Sequence, residues 1–254
     1  LGGFYAQPTE RAAAFKAQHA WVAPLGITPR LSGNFGELRG NHFHTGVDLK
    51  TAGREGLIVL ASTSGKVARV KMSPWGYGNA LYLEGPDNIT TVYAHLQRFA
   101  PQVQTWAVKR TYKARTLGLD VAPSPADSLY FEAGDTLGWS GNSGSSGGPH
   151  LHFEVRQTSN QHPLNPLDGW LDKQDSRMPV LPKFWAESEL GMKSWGWTED
   201  TVQVPSKVRF AVEGYDLLDG ASNICGLRSL EASLTTPNGT KLLAYKASWG
   251  ELDF

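Results

Sequence analysis

Seven histidines are spread over 254 residues, and four of them fall in two His-x-His pairs, His42/His44 and His150/His152. Random placement would give about 0.2 such pairs, so the clustering calls for a chemical reason. His150-Leu-His-Phe-Glu154 follows a Gly-Pro stop and alternates polar with apolar residues, the pattern of a strand. On a strand His150, His152 and Glu154 share one face, about 6.6 Å apart, while Leu151, Phe153 and Val155 turn into the core. One imidazole can then bind a metal while its neighbour, too far away to ligate, reaches a bound water or a substrate. In His44-Thr-Gly-Val-Asp48, a straight strand would hold the two polar side chains about 13 Å apart, and Thr-Gly-Val is poor helix. Joining them requires the chain to turn at Gly46. Two imidazoles and a carboxylate with one open position are the ligand set of a catalytic zinc site, since structural sites are closed and favour cysteine. His95, ending a predicted strand in Val92-Tyr-Ala-His-Leu96, adds another nitrogen base. His19 and His162 stand alone in polar context and read as ordinary core or surface residues.

The elements that must position these groups are mostly short strands. Between residues 31 and 171, β-branched or aromatic stretches at 57–60, 65–70, 80–84, 90–94 and 151–155 are punctuated by Gly, Pro, Asn and Asp. This pattern predicts a mostly β, antiparallel domain. Residues 9–21 are rich in helix formers behind Thr9 as a candidate N-cap, and predict one short N-terminal helix within a segment 1–30. Residues 102–133 interrupt the strand rhythm with weak periodicity and read as an insertion on the sheet rather than a core element. A proline-punctuated stretch begins at Pro163, and residues 172–199 are assigned as a linker. Beyond it Val208, Phe210, Val212 and then Leu230, Ala232, Leu234 alternate at period two, with a turn at Pro237-Asn-Gly239. Residues 200–254 therefore read as a partial, sandwich-like β-domain, cut off at Phe254 because such sandwiches want about 100 residues.

Composition excludes several classes. Apolar residues make up 40% and charged residues 19% of the chain, which suits a globular, loop-rich protein. Lys plus Arg balance Asp plus Glu at 24 each, so the electrostatic footprint of a nucleic-acid binder is missing. The longest aliphatic run, residues 57–61, is far short of the roughly 20 residues that cross a bilayer. A single cysteine, Cys225, rules out an intramolecular disulfide and a cysteine zinc site. The chain opens on Leu1, and residues 1–6 fit the tail of a signal peptide cleaved at Ala6, with an ordinary frayed terminus as the commoner alternative. Gly144-Ser-Ser146-Gly-Gly148 matches G-x-S-x-G, but a nucleophile elbow needs a helix after the serine, and Pro149 followed by a strand denies it. No G-x-x-x-x-G-K-[ST] loop is present for phosphate. The nine tryptophans fit core packing better than a sugar-binding platform.

His44-Thr-Gly-Val-Asp48, Tyr93-Ala-His-Leu96 and the run Ser140-Gly-Asn-Ser-Gly-Ser-Ser-Gly-Gly-Pro-His-Leu-His-Phe-Glu154 occur in this order. Together they resemble the lysostaphin/LytM-type zinc metallopeptidases, which cleave peptide bonds in bacterial cell walls. Ala61-Ser-Thr-Ser-Gly-Lys-Val67, Trp75-Gly-Tyr-Gly78 and Gly134-Asp-Thr-Leu-Gly138 fit the same pattern, over roughly residues 31–170. The resemblance implies a duplicated-hybrid-motif-like fold of antiparallel sheets around a narrow groove. It implies one Zn2+ per chain held by His44, Asp48 and His152, with His95 and His150 as non-ligand histidines that handle the water and the developing oxyanion. It implies a peptidoglycan peptide substrate and an exported protein of the periplasm or cell envelope. The segment 102–133 departs from compact members, and with Asn165-Pro-Leu167 resembles Bacteroidetes-type members. Glu154 is either a partner that fixes a histidine tautomer or a solvated strand residue. Some family members lack metal ligands and act as silent modules that activate cell-wall amidases; the five residues His44, Asp48, His95, His150 and His152 favour the enzyme. A latent enzyme, with residues 9–30 or the C-terminal domain over the groove, is a third reading.

Overall fold

The protein's computed structural model describes residues 8–172, 175–188, 191–195, 207–220 and 222–248. Residues 1–6, read above as the tail of a leader, and residues 249–254 lie outside the described residues. The chain divides into two compact units, one holding the described residues up to 172 and the other those from 175 to 248.

In the first unit, helix α1 (Pro8–Gln18) precedes strands β1 (Leu31–Gly33), β2 (Val47–Lys50), β3 (Ile58–Leu60), β4 (Gly65–Met72), β5 (Ala80–Glu84), β6 (Ile89–Ala94) and β7 (Leu96–Phe99). Helix α2 (Pro101–Ala114) follows, then β8 (Leu119–Val121), β9 (Tyr130–Phe131), β10 (Thr136–Ser140), β11 (His150–Gln157) and β12 (Pro163–Leu164). The larger sheet runs β1-β2-β11-β6-β5-β4-β8, with β12 joined to β11 and β9 to β4, while β3-β10-β7 form a smaller one. The pairings are antiparallel, as the alternating sequence predicts.

The strand β11 organises this unit because its two faces have different chemistry. Leu151, Phe153 and Val155 are fully buried on one face, where each contributes about 1.5–3 kcal/mol by leaving water. The other face carries His150, His152 and Glu154. Its neighbours set the register: His152 lies opposite Asp48 of β2 and Ala94 of β6, next to His95. The α1 segment packs on the apolar side, with Trp21 against Trp170 (4.8 Å between ring centroids) and against Phe153 (6.4 Å). Helix α1 joins this packing through Phe15, which meets Trp21 (5.8 Å) and Trp170 (5.3 Å).

Segment 102–133 differs from its sequence reading. It opens with α2, started by Pro101, which sinks Val103, Trp106 and Ala107 into the unit. Those positions, i, i+3 and i+4, form one helical face. Strands β8 and β9 then extend the large sheet.

In the second unit, β13 (Val180–Ser188) pairs with both β14 (Gly191–Trp195) and β15 (Arg209–Tyr215), and β16 (Ser229–Thr235) with β17 (Lys241–Ser248) form a hairpin. The hairpin turns at Pro237-Asn-Gly239, where Gly239 takes φ +84°. Strands β13 and β14 occupy part of the stretch read as linker. Pro182 sits where the β13–β15 register shifts between Val180 and Lys183, a position that tolerates its missing N–H.

Candidate functional site

His44 precedes β2 on a bend at Thr45 and Gly46, so its ring folds back over the start of the strand instead of extending away from Asp48. Gly46 is needed here for space rather than for turning freedom. A Cβ at Gly46 would stand 2.4 Å from the Phe153 carbonyl oxygen and 2.7 Å from Glu154 Cγ, and its φ lies outside the left-handed region. The close approach of this bend to β11 brings the two halves of the site together.

The result is a nearly equilateral triangle of donor atoms. His44 Nε2 lies 3.1 Å from Asp48 Oδ1 and 3.0 Å from His152 Nδ1, which is 3.0 Å from the same carboxylate oxygen. All three residues are buried, at 6%, 8% and 3% exposure. Among the described residues they form the cluster of His, Cys, Asp or Glu that could hold a metal ion. A tetrahedral zinc ion with bonds of about 2.0–2.1 Å would separate its ligands by about 3.3 Å, so the set fits zinc in atom type and spacing. The far nitrogens fit too. His44 Nδ1 donates to the Asn34 carbonyl at 2.6 Å, and His152 Nε2 donates to Glu154 Oε1 at 2.8 Å. Each ring is thereby oriented with its other nitrogen toward the triangle.

His95 and His150 flank this triangle without joining it. His95 stands between β6 and β7 at φ +58°, a left-handed conformation that costs a non-glycine residue of order 1 kcal/mol and recurs at functional sites. There it leaves the large sheet for the small one and turns its ring toward His150, with ring centroids 4.7 Å apart. Both rings are anchored alike: His95 Nδ1 donates to the Ser143 carbonyl and His150 Nδ1 to the Gly148 carbonyl, each at 2.8 Å. His150 Nε2 comes within 3.4 Å of Asp48 Oδ1. The glycine-rich runs hold these anchors. Ser145 N donates to the Gly76 carbonyl (2.9 Å), and a Cβ at Gly144, φ +75°, would meet Gly78 N at 2.3 Å. Ser146, the candidate elbow serine, donates to the Gly148 carbonyl from a loop that leads into β11.

Burial and mutual contact shift the ionisation of this group. Burial would raise the Asp48 carboxyl, but hydrogen bonds from His150, His152 and His44 outweigh it and hold the carboxyl far below the ordinary range. Burial, followed by the neighbouring His150 and His152, lowers His95 to about 4. Burial would also lower His152, yet its hydrogen bonds to Asp48 and Glu154 prevail and raise it to about 9.

The cleft above these groups has a volume of about 330 Å³ and is lined also by Arg39, His42, Thr45 and Tyr77. His42, the other half of the first His-x-His pair, is exposed at its rim and bonded to Asn41 Oδ1. His19 lies elsewhere, 2.8 Å from Asp87. Sequence reasoning missed Arg39, which donates to Asp48 Oδ2 at 3.1 Å. It also missed Arg156, although period two along β11 puts Arg156 on the face of Glu154. Glu154 is fully buried and not solvated.

Residues 42–114 match the family model described as Peptidase family M23. Over these residues the chain is similar to the M23 peptidases. The matched span holds His44, Asp48 and His95 and stops short of β11. The chain is 32% identical over 151 residues to the DD-carboxypeptidase/endopeptidase Mpg of Neisseria meningitidis serogroup B, covering 58% of this chain and 28% of that protein. It is 30% identical over 127 residues to lysostaphin of Staphylococcus simulans, covering 49% of this chain and 20% of that protein. The chain thus spans under a third of the length of these curated relatives. Similar solved structures include the catalytic domain of the prophage-encoded M23 protein EnpA from Enterococcus faecalis, at 26% identity, 58% and 95% coverage of the two chains and a TM-score of 0.41. The lysostaphin catalytic domain of S. simulans matches at 24% identity, 61% and 94% coverage and a TM-score of 0.36. Among the described residues no helix is long and apolar enough to cross a membrane.

Proposed function

We propose that the first unit of this chain is a zinc-dependent endopeptidase that hydrolyses peptide bonds in bacterial peptidoglycan, with His44, Asp48 and His152 as the zinc ligands. The observation that carries this reading is the donor triangle of 3.0–3.1 Å edges opening onto the cleft, with both imidazoles oriented from behind. A zinc ion held there supplies a Lewis acid and brings the pKa of a water down to about 7. The chain's own residues do the rest. Asp48 stays ionised and contributes the negative charge of the ligand set. His95, lowered to about 4, is neutral at pH 7 and can accept a proton at Nε2, the nitrogen left free by the Ser143 carbonyl, then pass it to the leaving amine. His150 also presents Nε2 to the cleft and can exchange protons with substrate or donate to a developing oxyanion. A peptidoglycan substrate requires an exported protein, in the periplasm or cell envelope.

The test is hydrolysis of purified peptidoglycan by the full chain, before and after stripping with a chelator and after adding zinc back. The reading predicts soluble peptide fragments, their loss on chelation and their return with zinc. No fragments under any of the three conditions would overturn it.

A further inference from the structure

Behind the donor triangle, Glu154 is completely buried, an arrangement that is costly for a carboxyl group unless each oxygen is satisfied. Oxygen Oε1 accepts from His152 Nε2 (2.8 Å), Thr45 Oγ1 (2.6 Å) and the Tyr77 hydroxyl (2.5 Å). Oxygen Oε2 accepts from Arg156 Nε, and Arg156 Nη2 donates in turn to the Tyr77 hydroxyl at 3.2 Å. Tyr77 also stacks on the His152 ring, with centroids 5.1 Å apart and planes 29° from parallel. The four partners come from separate places: the bend after His44, the glycine-rich turn before β5, and two positions on β11.

We propose that Glu154, held by Arg156, is a positioning residue that preforms the metal site. It fixes the His152 ring with Nδ1 toward His44 and Asp48, and through Thr45 it ties the bend carrying His44 to the strand carrying His152. This rests on the reading of the triangle as a zinc site, and adds that the triangle is set before the metal arrives. Two details favour positioning over simple stability. Oε1, rather than being shared evenly, gathers the three donors that touch the site, while Arg156 takes the oxygen facing away. In addition, Thr45 adjoins the ligand His44, so one carboxylate oxygen binds the supports of two ligands carried on separate segments, the bend before β2 and strand β11. An apolar residue would fill the same volume but orient neither.

The experiment compares the full wild-type chain with Glu154→Gln, Glu154→Gln/Arg156→Met and Thr45→Val. Zinc dissociation constants are measured by competition with a chromogenic chelator, and metal-free melting temperatures by circular dichroism. Visible spectra of the Co2+-substituted proteins report the ligand geometry. Glu154→Gln alone strands the Arg156 charge, whereas the double variant removes that charge and should recover part of the metal-free melting temperature lost in Glu154→Gln. The proposal expects the double variant to bind zinc about 10- to 100-fold more weakly than wild type despite that recovery, with an altered Co2+ spectrum. Thr45→Val should shift zinc affinity in the same direction. Wild-type zinc affinity in the double variant, or in Thr45→Val if the double variant does not fold, would overturn it while leaving the zinc site standing. A wild-type chain that binds neither zinc nor cobalt would overturn both the inference and the reading beneath it.

Discussion

Gly46→Ala tests whether the close approach of the His44 bend to β11 sets the metal site. An added Cβ would lie 2.4 Å from the Phe153 carbonyl oxygen, where ordinary contact begins near 3.4 Å. The obstacle is backbone in a paired strand, so bend and strand must part by about 1 Å rather than a side chain swinging aside. Because Val47 pairs with Phe153 and Asp48 with His152, this displacement falls on the ladder that joins the ligands. Donor edges of 3.0 and 3.1 Å would open to about 4 Å, beyond the roughly 3.3 Å spacing of a tetrahedral zinc site. Overpacking of this kind costs about 1–3 kcal/mol in stability. A displacement of about 1 Å at a reacting centre lowers the rate on the order of 100-fold. The expected result is therefore a lower melting temperature, weaker zinc binding in a chelator competition, and about 100-fold slower peptidoglycan hydrolysis. Gly40→Ala is the control, since a Cβ there meets nothing within 4 Å. If Gly46→Ala matched Gly40→Ala in melting temperature and zinc affinity, the argument from close approach would be wrong.

Three further outcomes follow from the same contacts. The metal-free protein should melt highest near pH 6.5. His95, lowered from 6.5 to about 4, makes the unfolded chain bind more protons between those values, so stability falls as pH drops through that window, by on the order of 3 kcal/mol. His152, raised from 6.5 to about 9, contributes stability that is complete below 6.5 and lost as pH rises toward 9. Zinc replaces the His152 proton and should abolish the alkaline limb; a metal-free melting temperature that climbs from pH 6.5 to 8.5 would contradict the assignment. His95→Ala and His150→Ala should each keep about one zinc per chain while hydrolysis slows about 100- to 10,000-fold, and loss of zinc from either would show it to be a ligand. Phe153→Ala, in the fully buried face of β11, should cost about 3–5 kcal/mol in urea denaturation, and a cost under about 1 kcal/mol would mean that the apolar face does not secure the site.

The candidate residues stood out because their chemistry is written locally, while their division into proposed ligands and non-ligands came from the family resemblance. Two His-x-His pairs, a His four residues before an Asp and a Gly-Pro stop before an alternating strand are all short-range signals. What joins them was not legible, because it depends on which strands pair. Thr45 and Tyr77 reach Glu154 across 109 and 77 residues of sequence, so a buried Glu154 could not be told from a solvated one. Gly46 was picked out as the place where the chain turns, and it does bend there; what no local signal showed is that a carbonyl of the neighbouring strand lies against it and leaves no room for a Cβ. The antiparallel strands followed from period two, but α2 escaped, since its buried positions Val103, Trp106 and Ala107 occupy a single turn and little periodicity accumulates. Prolines at 179 and 182 suggested a linker, yet β13 starts between them and absorbs Pro182 at a shift in register.

The central claim is that His44, Asp48 and His152 hold a zinc ion that hydrolysis requires. Elemental analysis of the wild type, Asp48→Ala and His152→Ala, prepared in metal-free buffer and resupplied with one equivalent of zinc, tests it most directly, with peptidoglycan hydrolysis run on the same samples. The account predicts about one zinc per chain in the wild type, and loss of both metal and activity in each variant. A wild type without metal and without metal-restorable hydrolysis, or a variant that keeps both, would contradict it.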